Sequence, residues 1–116
     1  MKPTGTPSPQ RSPVVFLGEQ GGEPEQALKT KLIELFAQKA LVSRAYLARV
    51  SYSGNREVVV ALCLPDATRA QATVVRDAAA VFAELFSVDQ HLDVVFVSAE
   101  DERRLTRVCN PFFSGP

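Results

Sequence analysis

The residue types that most often carry chemistry are few in this sequence, and they do not cluster. His91 is the single histidine, and the two cysteines, Cys63 and Cys109, lack CxxC spacing. A structural zinc site needs four Cys or His ligands, and a catalytic triad needs a histidine beside a nucleophile. His91 falls in a loop, where we expect it to be solvated. The sequence predicts no catalytic residues, no metal and no cofactor, and therefore a protein that is not an enzyme.

The loop GEQGGEP, residues 18–24, could in principle bind the phosphates of a nucleotide or hydrolyse an acylphosphate. Its glycines match neither the P-loop pattern nor the dinucleotide-binding pattern. A small hydrolase of the acylphosphatase type would need an arginine in a phosphate-cradling loop and a partner asparagine. The loop contains no arginine, so the hydrolase hypothesis is disfavoured.

Charge and hydropathy restrict the partners and the location. Lys plus Arg is 13 and Asp plus Glu is 13, so the net charge is zero. Proteins that bind nucleic acid or anionic membranes usually show a basic excess, which disfavours both as principal partners. No apolar run approaches a membrane span of about 20 residues, and the first residues lack the apolar core of a signal peptide. A cytoplasmic protein with reduced cysteines is predicted.

Basic and aromatic side chains suggest two candidate contact sites. Arg103, Arg104 and Arg107 could clamp an anion, but a solvated helix with acids first and bases last suits the helix dipole better. Arg44 and Tyr46 lie two residues apart in a predicted strand and therefore share a face. They could form cross-strand pairs or recognise a partner or anion.

The elements follow from hydrophobic periodicity and turn residues. Residues 1–13 are rich in Pro, Ser, Thr and Gly and predict a flexible arm, while residues 14–116 predict one domain. Strands are predicted at 14–18, 42–52, 57–64 and 92–97, and helices at 24–39, 68–86 and 99–108. Ser-Gly-Asn at 53–55 predicts a hairpin turn. Thr68 with Gln71, and Ser98 with Asp101, predict capping boxes, with Asp66 competing for the first.

The order β-α-β-β-α-β-α predicts an α+β fold. Its first six elements match the split βαβ, ferredoxin-like arrangement, in which a four-stranded sheet carries two helices on one face. The inner strands are apolar on both sides, which requires a cover on the second face. In the third strand the two alternating sets are Val59, Ala61 and Cys63, and Val58, Val60, Leu62 and Leu64.

Two covers are available for that second face. The last helix could fold back with Leu105 and Val108 inward, leading Pro111, Phe112 and Phe113 onto the sheet or its edge. Alternatively, a second copy of the chain could pack there as a symmetric dimer. Two aromatics near a chain end are expected to dock, because burial of each contributes about 1.5–3 kcal/mol before ordering costs. The competing reading is a frayed end with both rings half-exposed.

Several segments resemble one family. The runs VVFLGEQGGEP, LVSRAYLARV and LDVVFVSAEDERRLTRVCNPFF are similar to the C-terminal domain of the SseB family, bacterial proteins named for enhanced serine sensitivity. The resemblance spans 14–113 and implies a non-enzymatic role linked to serine sensitivity. It supplies no catalytic residues. Members of the family usually carry a further N-terminal domain, whereas here only the Pro/Ser-rich arm precedes strand one.

These observations together predict a cytoplasmic protein-interaction or regulatory domain that works as a homodimer or with another protein. The alternative is an amino-acid sensor with its ligand at a dimer interface, by analogy of fold. The predicted interaction surface consists of Arg44, Tyr46, Leu105, Val108, Pro111, Phe112 and Phe113.

Overall fold

A computed structural model describes residues 14–39, 41–52, 58–87, 90 and 92–115. The predicted arm, the hairpin turn at 53–55 and His91 lie outside these residues. The elements are β1 (Val14–Glu19), α1 (Glu23–Lys39), β2 (Arg44–Tyr52), β3 (Val58–Pro65), α2 (Gln71–Leu85), β4 (Asp93–Val97), α3 (Ala99–Leu105) and β5 (Phe113–Ser114). The α+β class and the order of the first seven elements are confirmed.

The strands form a sheet in the order β1-β2-β3-β4. The β1-β2 and β2-β3 pairs are antiparallel, while β3 and β4 are parallel and joined through α2. The ferredoxin-like arrangement is not confirmed, because its split βαβ unit inserts a strand between two that a helix connects. Here each strand lies beside the next one along the chain.

Alternate residues of the central strands enter two separate cores, as expected of strands that are apolar on both sides. On one face, helices α1 and α2 pack on β2 and β3; the buried residues there are Leu28, Leu32, Phe36, Val74 and Ala78 from the helices and Ala45, Leu47, Leu62 and Leu64 from the strands. On the other face, Leu105 and Cys109 cover Tyr46, Ala48, Val50, Ala61, Cys63 and Val97. The predicted cover by α3 is therefore confirmed for Leu105. It was wrong for Val108, whose side chain is 41% exposed.

The two predicted helix caps have different outcomes. The Ser98 hydroxyl accepts a hydrogen bond from the Asp101 amide at 3.1 Å, as a capping residue does. The Thr68 cap was wrong: α2 begins at Gln71, after Ala70 in the left-handed conformation at φ 53°. The buried Thr68 hydroxyl has no hydrogen-bond partner among the residues that the structure describes.

Residues 109–115, here called the C-terminal strap, cross the outer edge of β2. The Phe112 amide donates to the Ala45 carbonyl at 2.9 Å, and the Gly115 amide donates to the Ser43 carbonyl at 2.7 Å. The Phe113 ring meets Phe36 of α1 edge-on, with centroids 5.7 Å apart. The tail docks as predicted, but its aromatics join the core on the α1/α2 face, whereas α3 and Cys109 lie on the opposite face.

Candidate functional site

One carboxylate links α3 to the sheet. Glu102 accepts hydrogen bonds from the Tyr46 hydroxyl at 2.6 Å and from Nε and Nη2 of Arg44 at 2.5 and 2.9 Å. Arg44 and Tyr46 point to the same face because they lie two residues apart in β2, and α3 crosses that face. We call these three residues the Glu102 clasp. Arg44 and Tyr46 are thus brought together, but by an acid of the same chain.

The contacts of the clasp shift the pKa values of its three members. The shifts keep Glu102 and Arg44 charged and Tyr46 neutral. The hydrogen bond from Arg44 holds the pKa of Glu102 below its ordinary value, although burial opposes this. The pKa of Arg44 is raised, chiefly by the same bond. Burial, assisted by Glu102, raises the pKa of Tyr46 to about 12. A carboxylate with a lowered pKa is a weak base, so the clasp suits structural locking rather than proton transfer.

The sequence interpretation missed Glu102, which it assigned to a solvated helix. The available signal was spacing: Glu102 lies three residues before Leu105, and such residues share one face of a helix. An inward Leu105 therefore brings Glu102 toward the sheet, where only 9% of its surface is exposed.

The predicted interaction residues do not form one surface. Tyr46 and Leu105 are buried, and the Arg44 side chain is 45% exposed but engaged by Glu102. Val108, Pro111, Phe112 and Phe113 lie along the strap and the turn before it, and only the first two are exposed.

Glu19 joins the strap to α1 at the end of β1. Its two carboxylate oxygens accept from Lys29 Nζ at 3.3 Å and from the Asn110 amide at 3.4 Å. Beside it, the Cys109 thiol is directed to the Leu47 carbonyl at 3.6 Å. Cys63 and Cys109 are both free and buried, and burial raises their pKa values to about 12 and about 11. Buried thiols of this kind are inert.

A groove opens on the face of the sheet that carries α1 and α2. At one end the helices are tied by an ion pair of 2.8 Å between Lys39 and Asp77. At the other end the start of α1, the end of α2 and the start of β3 line a space of about 270 Å³. We call it the helix-face groove. Its lining residues are Glu25, Leu28, Val58, Val59, Val60, Phe82, Phe86 and Gln90.

The groove is mainly apolar, and a further exposed valine lies on the same face of the sheet. Val58 is 54% exposed, and the Phe82 and Phe86 rings stack at 4.4 Å. Across the sheet, Val58 pairs with Ser51 and Ser51 with Val15, so these side chains share the face that holds the groove. Val15 is itself 49% exposed. A second exposed valine therefore lies on the face that holds the groove, with Ser51 between it and Val58.

The described residues form neither a metal site nor a membrane-spanning helix. In the described ranges, no three His, Cys, Asp or Glu side chains are grouped to hold a metal ion. None of the helices in that part of the chain has the length and apolar character needed to cross a bilayer.

Comparison with known proteins gave one match. The family model described as the SseB protein C-terminal domain matches residues 11–114. A search of curated proteins and a search of solved structures each found no match. Since the family match covers nearly the whole sequence, the chain belongs to the SseB C-terminal domain family.

Proposed function

We propose that this chain is a non-enzymatic protein-interaction domain and that the helix-face groove is its contact surface. The observation that carries the proposal is the exposure of Val58 within an apolar groove. Single exposed aliphatic residues are ordinary, but here Val58 lines the same groove as Phe82 and Phe86. Contiguous apolar surface of this kind marks interaction sites.

Two features favour binding over catalysis. The buried ionic groups Glu102 and Lys29 are each held by partners of the same chain. The groove contributes Glu25 and Gln90 as its polar side chains, and neither a nucleophile nor a histidine lines it among the described residues. Such a lining can hold a ligand but offers no paired acid and base.

The amino-acid sensor has less support. An amino acid presents both an ammonium and a carboxylate, whereas no basic side chain is among the described lining residues of the groove. A volume of about 270 Å³ also falls just below the range of about 300–1,000 Å³ typical of small-molecule sites. A role in serine sensitivity rests on the family name, and a thermal-shift titration with serine tests it directly.

The proposed function also includes an oligomeric state and a cellular compartment for the chain. The expected homodimer through the second sheet face has less support than a contact at the groove, because α3 and Cys109 already cover much of that face. A cytoplasmic, reducing compartment is consistent with free thiols at Cys63 and Cys109.

A selection experiment tests the groove as a contact surface. A phage-displayed library of random short peptides is selected against the wild-type chain, and the binders are measured against Val58→Lys and Val108→Lys. Both valines are more than 40% exposed and lie on different surfaces, so the second variant is a matched control. We expect Val58→Lys to weaken the binders by about tenfold or more, or about 1.4 kcal/mol, and Val108→Lys to leave them unchanged. Binders that are indifferent to Val58→Lys, or the absence of binders, would overturn the proposal.

A further inference from the structure

The groove also carries information about the chemistry of its partner. We infer that it takes an extended peptide segment in which an aliphatic side chain adjoins a lysine or arginine. The aliphatic group enters between Val58 and the Phe82–Phe86 pair, and the cation meets Glu25. This inference rests on the proposed function, since it names the partner of the same surface.

The apolar part follows from the size and lining of the groove. At about 30 Å³ for each water molecule, 270 Å³ corresponds to about nine waters. Water over Val58 and Val60 finds few hydrogen-bond partners, so its release by an aliphatic side chain is favourable. The space suits side chains rather than a whole helix, which is about 10–12 Å across.

The basic part follows from the distribution of charge. Glu25 is the charged residue among the described lining residues, and Glu23 is exposed in the same first turn of α1. Lys29 lies one helical turn after Glu25, at a spacing that allows an ion pair. It pairs instead with Glu19.

Two further cations of the described residues, Lys39 and Arg49, are also directed away from the groove. Lys39 pairs with Asp77 at the closed end of the two helices. Arg49, the cross-strand neighbour of Val60, lays its guanidinium over Gly18 of β1, with Nη2 2.7 Å from where a Cβ would lie. Among the described residues, the open end of the groove therefore has an acidic rim, which is complementary to a basic partner.

The aromatic pair adds to this preference. Phe82 and Phe86 stack with their planes 10° apart, and both rings remain half-exposed. Part of the surface of this ring pair is thus available to a ligand. Aromatic faces attract cations, Arg most often, and their edges pack well against aliphatic groups.

The test uses the full chain, the same library and one further pair of variants. We expect binders that are sensitive to Val58→Lys to be enriched in an aliphatic residue next to Lys or Arg. Glu25→Gln should weaken them by about two- to fivefold, the range of an exposed ion pair, and the difference should shrink as ionic strength rises. Glu34→Gln is the matched control, because Glu34 is exposed on the opposite side of the same helix and changes the net charge equally.

The outcomes separate the inference from the proposed function. Binders that are sensitive to Val58→Lys but lack basic residues, or that ignore Glu25→Gln, would overturn the inference and leave the groove as a contact surface. Self-association that Val58→Lys abolishes, measured by light scattering, would identify a second copy as the occupant and would also overturn it. Binders whose affinity does not change with Val58→Lys would overturn both the inference and the proposed function.

Discussion

Replacing Glu102 by glutamine should weaken the attachment of α3 to the sheet. Glutamine has nearly the same shape as glutamate, so the replacement opens no cavity. The replacement removes the negative charge of the carboxylate, which accepts hydrogen bonds from the Tyr46 hydroxyl and the Arg44 guanidinium. One of the two acceptor oxygens becomes an amide NH₂ that faces another donor. The packing of Leu105 remains, so the change isolates the polar contribution of the clasp.

The magnitude follows from the three contacts and their exposure. A hydrogen bond to a charged group contributes about 1.5–3 kcal/mol, and that range applies to the bond from buried Tyr46. The Arg44 side chain is 45% exposed, so its ion pair adds only about 0–1 kcal/mol. Since glutamine can still accept one bond, the free energy of unfolding should fall by about 1.5–3 kcal/mol. For a domain of this size that corresponds to a fall in Tm of about 6–15 °C.

The effect should depend on pH with a definite sign. Because the folded-state pKa of Glu102 is lowered, the clasp stabilises the fold fully at pH values above 4.5, the ordinary value for the group. That contribution is lost as pH falls through the lowered pKa. Urea unfolding of the wild type and of Glu102→Gln should therefore give curves that differ most at neutral pH and converge in acid.

The control for this experiment is Glu100→Gln. Glu100 lies in the first turn of the same helix, but its side chain is exposed. The two variants have equal net charge, so a general charge effect would appear in both. Two results would refute the assignment of Glu102 as a buried clasp. In the first, the difference in the free energy of unfolding between the wild type and Glu102→Gln is the same at neutral pH and below pH 4.5. In the second, Glu100→Gln and Glu102→Gln lose the same free energy of unfolding.

Three further predictions concern other parts of the fold. Phe113→Ala should lower the free energy of unfolding by about 1–2 kcal/mol, because it removes a half-buried ring and its edge contact with Phe36; an unchanged urea midpoint would contradict docking of the strap. Ala70→Gly should raise the free energy of unfolding by about 0.5–1 kcal/mol, since Ala70 has φ 53° and glycine adopts that conformation without strain; destabilisation would show that the turn is wrongly described. Cys63 and Cys109, with pKa values raised to about 12 and about 11, should react with a thiol reagent at mildly alkaline pH only in denaturant; fast reaction of the native protein would show that the second core opens.

The elements were predictable because their signals are local. The stripe of Leu28, Leu32 and Phe36 has the helical period, and all three residues are buried on one side of α1. The two-sided apolar pattern of β3 required a second cover, and α3 supplies it through Leu105. In both cases the residue spacing alone fixes which side chains share a face.

The strand order and the groove were not predictable in the same way. The order of elements is compatible with several sheets, and the pairing of β1 with β2 depends on register and a bulge between Phe16 and Gly18 that no sequence period encodes. The groove is lined by the start of α1, the end of α2 and the start of β3, three segments that are far apart in the sequence. Val58 has the pattern of a core residue in a strand of valines, and the sequence alone does not show that it is 54% exposed.

The pairing of β5 with β2 has a consequence for solubility. β1 pairs with Ala48–Tyr52 and β5 with Arg44 and Ala45, so two distant segments lie end to end along one edge of the same strand. If the strap detaches, unpaired amides and carbonyls around Ala45 become a template onto which another chain can add a strand. We therefore expect substitutions that loosen the strap to cause fibre-like aggregation. The yield of soluble protein should fall before the helical signal does.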